Sequence, residues 1–292
     1  MTGTDIASPT AVGTGSGSAL LDVRGLRKTY QTSGRTVEAV RDLTFGIAAG
    51  ELACIVGPSG AGKTTLLKCV AGLLAPSGGE VVLEGRPVLR PPENMAVVFQ
   101  EYGRSLFPWL SVARNIELPL KQKKVPKRRR GELVAEALES VGLADAAGAY
   151  PWQLSGGMQQ RVAIARAIAY EPAVLIMDEP FAAVDAQTRA ELEDLTRELW
   201  RRLGMTVLFV THDIEEAVYL GQRVLVLSAA PTVVMDDTVI DLPAEREQLA
   251  TRSDPRFAEL RAHVYSQVQR AKTYHRADRA RPAAGPGEGG DG

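Results

Sequence analysis

The chain has 292 residues, 45% of them hydrophobic, enough to bury a large core as one big domain or one with a subdomain. Its formal net charge of -1 argues against a general nucleic-acid binder, and no apolar run approaches the roughly 20 residues needed to cross a bilayer. The N-terminus lacks the basic and apolar regions of a secretory signal, and the two cysteines, Cys54 and Cys69, read as buried small hydrophobes, so a reducing cytoplasm is expected.

Residues 1–19 are rich in Gly, Ser, Thr and Ala without periodicity and are expected to be a disordered tail. The apolar run Leu52–Val56 predicts a strand. It leads into Gly57-Pro58-Ser59-Gly60-Ala61-Gly62-Lys63-Thr64, followed by a helix-compatible segment from Thr65 to Ala71 that Gly72 ends. Strand, glycine loop and helix give the G-x-x-x-x-G-K-[ST] pattern its meaning as a phosphate-binding loop. Glycines let successive N–H groups point inward at a phosphate, and the helix start adds partial positive charge. Lys63 is expected to reach the β- and γ-phosphates and Thr64 to ligate Mg²⁺, with Thr65 beside them. A nucleoside triphosphate is the expected ligand.

Further strands are predicted at Val81–Leu83, Ala96–Phe99, Val174–Met177, Thr206–Val210 and Val224–Leu227. The stretch between Glu101 and Pro151 lacks a convincing strand and carries a helical pattern around Glu132–Val141, which predicts a helical subdomain over about 101–165 inserted into an α/β core. Within it, the basic run Lys121 to Arg130 reads as a solvated loop leading into a helix, with contact to anionic lipid as a lesser reading. Leu154-Ser155-Gly156-Gly157-Met158-Gln159-Gln160 predicts a capped helix whose glycine-rich start is a second anion-binding position. The strand at Val174–Met177 runs into Asp178 and Glu179. Asp178 is placed to hold Mg²⁺ beside a phosphate loop, and Glu179 to polarise an attacking water as general base. The clearest helix follows Asp185, with Leu192, Leu195, Leu199 and Leu203 at offsets of three, four and four, and Gly204 as its stop. A second disordered tail is expected over 276–292. Val-, Ile- and Leu-rich strands separated by helices predict a mostly parallel sheet covered on both faces.

The segment Leu154–Gln160, lying just upstream of the carboxylate strand, resembles the signature of the ATP-binding cassette (ABC) family, and the resemblance spans nearly the whole of residues 20–275. It implies a P-loop NTPase core with an antiparallel N-terminal β region and an inserted helical subdomain. It also implies that Tyr30 stacks on adenine, that Gln100 touches Mg²⁺ and water, that Asp185 lies at a dimer seam, and that His212 contacts the γ-phosphate. Lys63, Glu179 and His212 form the implied catalytic set, and ATP and Mg²⁺ the implied ligands. In the implied head-to-tail homodimer each ATP lies between the phosphate loop of one chain and Ser155, Gly156 and Gly157 of the other. The sequence departs from the family at Ala182 and Val184, where relatives commonly carry Gly and Leu, and Thr64 replaces a serine. These changes imply altered packing and retained activity.

Phe107-Pro108-Trp109-Leu110-Ser111-Val112 and Asp213-Ile214-Glu215-Glu216-Ala217-Val218-Tyr219-Leu220 resemble importers for nitrate, sulfonates and taurine, as does Thr251 to Phe257, similar to that branch's short C-terminal helix region. The resemblance implies integral-membrane permease subunits, an extracytoplasmic solute-binding protein acting indirectly, and a place on the cytoplasmic face of the cell membrane. Leu106, Phe107 and Trp109 read either as an apolar docking groove or as the subdomain's small core. An exporter or lipid-transport ATPase, and a soluble non-transport cassette, are the alternatives.

Overall fold

The computed structural model describes residues 19–32, 34–100 and 105–279. The expected N-terminal tail, save Ala19, and the start of the docking segment at 101–104 lie outside the described residues. The chain begins with two long antiparallel strands, β1 (Leu21–Thr32) and β2 (Arg35–Ile47). The buried strand β3 (Leu52–Val56) and helix α1 (Lys63–Val70) follow. Strands β4 (Gly78–Leu83), β5 (Arg86–Pro87) and β6 (Met95–Val98) precede the helical part, which comprises α2 (Val112–Gln122), α3 (Lys127–Ser140) and α4 (Gly156–Ala169). Strand β7 (Val174–Asp178), helix α5 (Ala186–Leu203), strand β8 (Thr206–Val210), helix α6 (Ile214–Leu220), and strands β9 (Arg223–Leu227) and β10 (Thr232–Val239) return the chain to the sheet. Helices α7 (Gln248–Arg252) and α8 (Pro255–Arg279) close it.

Among the described residues the strands line up as β5-β4-β1-β2-β10-β9-β3-β8-β7-β6. The block β9-β3-β8-β7-β6 is parallel throughout, and β10 joins it to the antiparallel N-terminal region. Every residue of β3, β7 and β8 is buried, as parallel strands covered on both faces require. The pleat then divides the core in two. Leu52, Cys54 and Val56 pack with the helical part and α5, α6 and α8, whereas Ala53 and Ile55 face α1 and the β1–β2 layer. Both cysteines are buried and unpaired, as expected.

Helix α5 has the bounds its sequence predicts. The Asp185 carboxylate accepts from the Thr188 N–H at 3.0 Å, Leu192, Leu195 and Leu199 are buried, and Gly204 ends the helix at φ 60°. Helix α1 starts two residues earlier than expected, because Gly62 takes the left-handed conformation and Lys63 is already helical. The C-terminal region is larger than a short helix. Phe257, Leu260, Val264, Val268 and Ala271 bury one stripe of α8, which runs to Arg279, beyond the expected start of the tail at 276. Residues 280–292 lie outside the described residues.

Candidate active site

The carboxyl ends of β3, β6, β7 and β8 bring four distant segments together. Strand β3 delivers Gly57 so close to β9 that a Cβ there would stand 2.9 Å from the Leu227 carbonyl oxygen. Gly60 and Gly62 adopt φ 77° and 73°, which turn the loop back over the start of α1. Lys63 opens that helix and is buried. Its Nζ donates to the Gly57 carbonyl at 2.9 Å and stands 3.7 Å from the Glu179 Oε1. Burial pushes the Lys63 ammonium below its ordinary pKa, while Glu179 and Asp178 act to restore it. Thr64 is exposed in the first turn, beside the loop's open face. Tyr30, at 37% exposure, reaches the same helix start through a 3.3 Å contact between its hydroxyl and that of Thr65.

Strand β7 ends in the buried Asp178, whose carboxyl is pushed up to about 6, first by burial and then by the neighbouring Glu179. The next residue, Glu179, sits at φ 43°, unusual for a side chain with a Cβ and a local strain of order 1–3 kcal/mol. Its N–H is anchored to the Val210 carbonyl at 2.8 Å. That turn aims one carboxylate at three of the expected site residues. Glu179 Oε2 lies 3.0 Å from His212 Nδ1 and accepts from Gln100 Nε2 at 3.4 Å, and Oε1 faces Lys63.

The remaining expected residues gather elsewhere. Ser155 caps α4 by accepting from the Met158 N–H at 3.3 Å. A Cβ on Gly157 would come within 2.5 Å of Thr188 Cγ2, so the start of α4 sits against the first turn of α5. There Asp185 caps the helix, and the hydrogen bonds from Thr188 hold its carboxyl below the usual range. Ser155, Gly156 and Asp185 are exposed. Among the described residues no hydrogen bond or ion pair joins Ser155, Gly156, Gly157 or Asp185 to the phosphate loop.

In the helical part the run Leu106 to Trp109 is split. Leu106 is buried in the core, while Phe107 and Trp109 stay outside with ring centroids 5.4 Å apart. Phe107 also borders a surface groove of about 370 Å³ with Met95, Leu118, Pro119 and Tyr170. The basic run folds largely onto acids of its own neighbourhood, including Lys121–Glu117 at 3.0 Å, Arg129–Glu171 at 3.0 Å and Arg130–Glu117 at 2.9 Å. Lys121 lies in the last turn of α2 and Lys127–Arg130 open α3, so only residues 123–126 form the loop expected of that run.

Comparison with known proteins decides the family. A family profile described as ABC transporter matches residues 40–182. An uncharacterised ABC transporter ATP-binding protein of Methanocaldococcus jannaschii is 43% identical over 244 residues, covering 84% of this chain and 89% of the relative. The chain belongs to the ABC transporter family. Other ABC relatives are the nitrate import ATP-binding protein NrtD of Synechocystis sp., 41% identical over 80% of this chain and 87% of its own, and the taurine import ATP-binding protein TauB of Yersinia pseudotuberculosis, 42% identical over 85% and 97%. Among solved ABC structures, the dimeric post-hydrolysis state of the ATP-binding cassette MJ0796 bound to ADP and Pi is similar with a TM-score of 0.67 at 32% identity, over 76% of this chain and 100% of that one. The chain is therefore an ATP-binding, ATP-hydrolysing ABC subunit that resembles the nitrate and taurine branch.

The donor set also fits a hard cation. The Thr64 hydroxyl, the Asp178 carboxylate and the Gln100 amide oxygen are oxygen donors of the kind Mg²⁺ takes. Asp178 is raised first by burial and then by the negative charge of Glu179, and a divalent cation beside it would offset both. Among the described residues no group of three or more His, Cys, Asp or Glu could hold a metal by itself.

One titratable group beneath the site carries no role in the sequence analysis. Glu216, on α6, is buried, and burial pushes its carboxyl up to about 8, against a hydrogen bond with Thr211 that lowers it. Between the ordinary carboxylate range and about pH 8 the folded chain holds a proton there that the unfolded chain has released. Stability therefore falls as pH rises across that window and levels off above it. Glu216→Gln is expected to flatten this dependence and raise the melting temperature by several degrees at pH 8–9. Thermal unfolding of both proteins between pH 5 and 9 checks it, and parallel curves would count against a buried neutral acid.

Proposed function

We propose that this subunit powers a bacterial importer, as a head-to-tail homodimer on the cytoplasmic face of the membrane. Its ATP binding and hydrolysis would drive uptake of a small solute of the nitrate, sulfonate or taurine class through separate permease subunits, fed by an extracytoplasmic solute-binding protein. The observation that carries the site reading is the convergence of Lys63, Gln100 and His212 on the single Glu179 carboxylate.

The chemistry follows from that arrangement. Tyr30 stacks on the base, and the backbone N–H groups of Gly57–Thr64 together with Thr65 cradle the phosphates. Lys63, held by backbone carbonyls at the loop mouth, turns its ammonium to the β- and γ-phosphates. Thr64, Gln100 and Asp178 would hold Mg²⁺, which would supply neutralisation of the phosphate charge when bound. Glu179 takes a proton from the attacking water as its oxygen bonds to the γ-phosphorus. The bond to the bridging oxygen breaks, and ADP leaves with the electron pair. His212 fixes the orientation of Glu179 through Nδ1 and contacts the γ-phosphate.

A single chain leaves that phosphate open to water on one face. The exposed Ser155 and Gly156, with the half-buried Gly157 and the exposed Asp185 beside them, match a surface that closes over the partner's nucleotide and excludes solvent. Ser155→Arg is expected to leave ATP affinity of the monomer within about twofold and to block ATP-dependent dimerisation and turnover, because the added side chain fills the closing face. Nucleotide titration and light scattering read the two effects separately, and normal ATPase activity in that variant would remove the closing surface. The groove beside Phe107, with the exposed Trp109 nearby, is the apolar seat offered to the permease. The relatives named for nitrate and taurine import support the solute class.

A further inference from the structure

Arg189 lies one helical turn after Asp185, and its backbone N–H donates to the Asp185 carbonyl at 2.9 Å. Its guanidinium then reaches two loops at once. Nη2 donates to the Val184 carbonyl at 3.4 Å, within the Asp185 loop, and Nη1 to Asp213 Oδ2 at 3.5 Å, in the residue after His212. The third nitrogen, Nε, is buried and has no hydrogen-bond partner. Arg189, Glu179, Thr211, His212, Asp213 and Glu216 border a cavity of about 20 Å³, room for one water molecule.

Both contacts sit at the outer edge of hydrogen bonding, and a buried N–H without an acceptor is unfavourable. The guanidinium is therefore suspended between the loops, with space beside it to move. We infer that Arg189 is a positioning residue that transmits dimer closure from the Asp185 loop to His212 and Glu179, an inference that rests on the site reading proposed above. Asp185 is exposed on the closing face, and a partner pressing on it shifts the first turn of α5, where Arg189 is rooted. Asp213 receives that shift. It caps α6 by accepting from the N–H groups of Glu215 at 2.9 Å and Glu216 at 3.3 Å, and its own N–H donates to the Thr211 hydroxyl at 3.0 Å. A displaced Asp213 thus moves the loop that carries His212, whose ring stands 3.0 Å from the Glu179 carboxylate. Drawing the two loops together shortens both guanidinium contacts and strengthens them where Glu179 has to be aligned.

The test uses the full-length chain. Arg189→Met keeps much of the stem and removes the charge and donors. Its kcat is expected to fall about ten- to a hundredfold, the size of a roughly 1 Å misalignment of a catalytic group, with KM within about twofold. In a Glu179→Gln background, Arg189→Met still dimerises with ATP, at an ATP concentration only a few-fold higher than Glu179→Gln alone, because closure strengthens the two contacts it loses. Arg189→Lys recovers part of kcat, and adding Asp213→Asn to Arg189→Met brings little further loss, since both cut one link. Unchanged kcat, loss of dimerisation together with kcat, or fully additive losses with Asp213→Asn would overturn the inference. Failure of the underlying site reading shows in a different protein, as normal turnover by Glu179→Gln itself.

Discussion

Glu179→Gln is expected to bind ATP with unchanged affinity while its turnover falls by about a hundredfold or more, and to accumulate as an ATP-bound dimer. The substitution preserves the shape of a side chain whose position is dictated by the backbone. Glu179 already occupies φ 43°, and its N–H is pinned to the Val210 carbonyl, so glutamine inherits the same placement. What disappears is the basic oxygen that Lys63, Gln100 and His212 surround. Binding and closure need the phosphate loop and the Ser155 face, and neither is touched. With the proton acceptor gone, the closed state has no route to reset, so the dimer persists. Single-turnover hydrolysis and light scattering with ATP check this. A variant that turns over at wild-type rate, or stays monomeric with saturating ATP, would reassign the base.

Lys63→Ala is expected to weaken ATP binding by roughly ten- to a hundredfold, the equivalent of one charge-assisted hydrogen bond to the phosphates. The native lysine is buried and its ammonium is disfavoured by desolvation, so the fold gains little from its charge alone. Its present acceptors are the Gly57 carbonyl and, at greater distance, Glu179. Both hold the ammonium at the loop mouth, where phosphate oxygens are better partners than a neutral carbonyl. Removing it also strips Glu179 and Asp178 of their nearest cation, which pushes the already raised Asp178 higher still. The affinity loss should therefore deepen as the pH falls toward about 6, where Asp178 of the variant is protonated before that of the native chain, and level off below it. Calorimetric titration at two pH values tests both statements, and unchanged affinity would separate Lys63 from the phosphates.

Much of this architecture was legible in the sequence. Strands β3 and β8 and helix α5 have the predicted bounds because each is punctuated by chemistry that acts locally: a glycine loop, an aspartate cap, a left-handed glycine. Strand β10 escaped because its Asp236-Asp237-Thr238 stretch is half exposed and breaks the apolar pattern. Helix α8 had a signal that was not used. Phe257, Leu260, Val264, Val268 and Ala271 recur at offsets of three, four, four and three, hidden among charged neighbours. The site divides in the same way. The phosphate loop and Asp178–Glu179 can be argued from residue chemistry, whereas Gln100, Tyr30 and His212 were reached only through family resemblance. Nothing local marks them: Gln100 and His212 depend on strands β6, β7 and β8 lying side by side, and Tyr30 on β1 reaching the start of α1. Arg189 and Glu216 were invisible for the same reason. An arginine on a polar helix reads as solvated until its helix is seen against the loop that carries His212.

The central claim is that each nucleotide is shared between the phosphate loop of one chain and the Ser155 face of the other, and mixing two defective chains tests it most directly. Lys63→Ala and Ser155→Arg, each combined with Glu179→Gln and separately labelled, should both remain monomeric alone in ATP. Mixed, they are expected to form a heterodimer, because one composite site then joins an intact phosphate loop to an intact Ser155 face. Energy transfer between the labels that appears only on mixing with ATP is the predicted result. Transfer that never appears at any ratio or ATP concentration, while Glu179→Gln alone dimerises, would contradict the shared site.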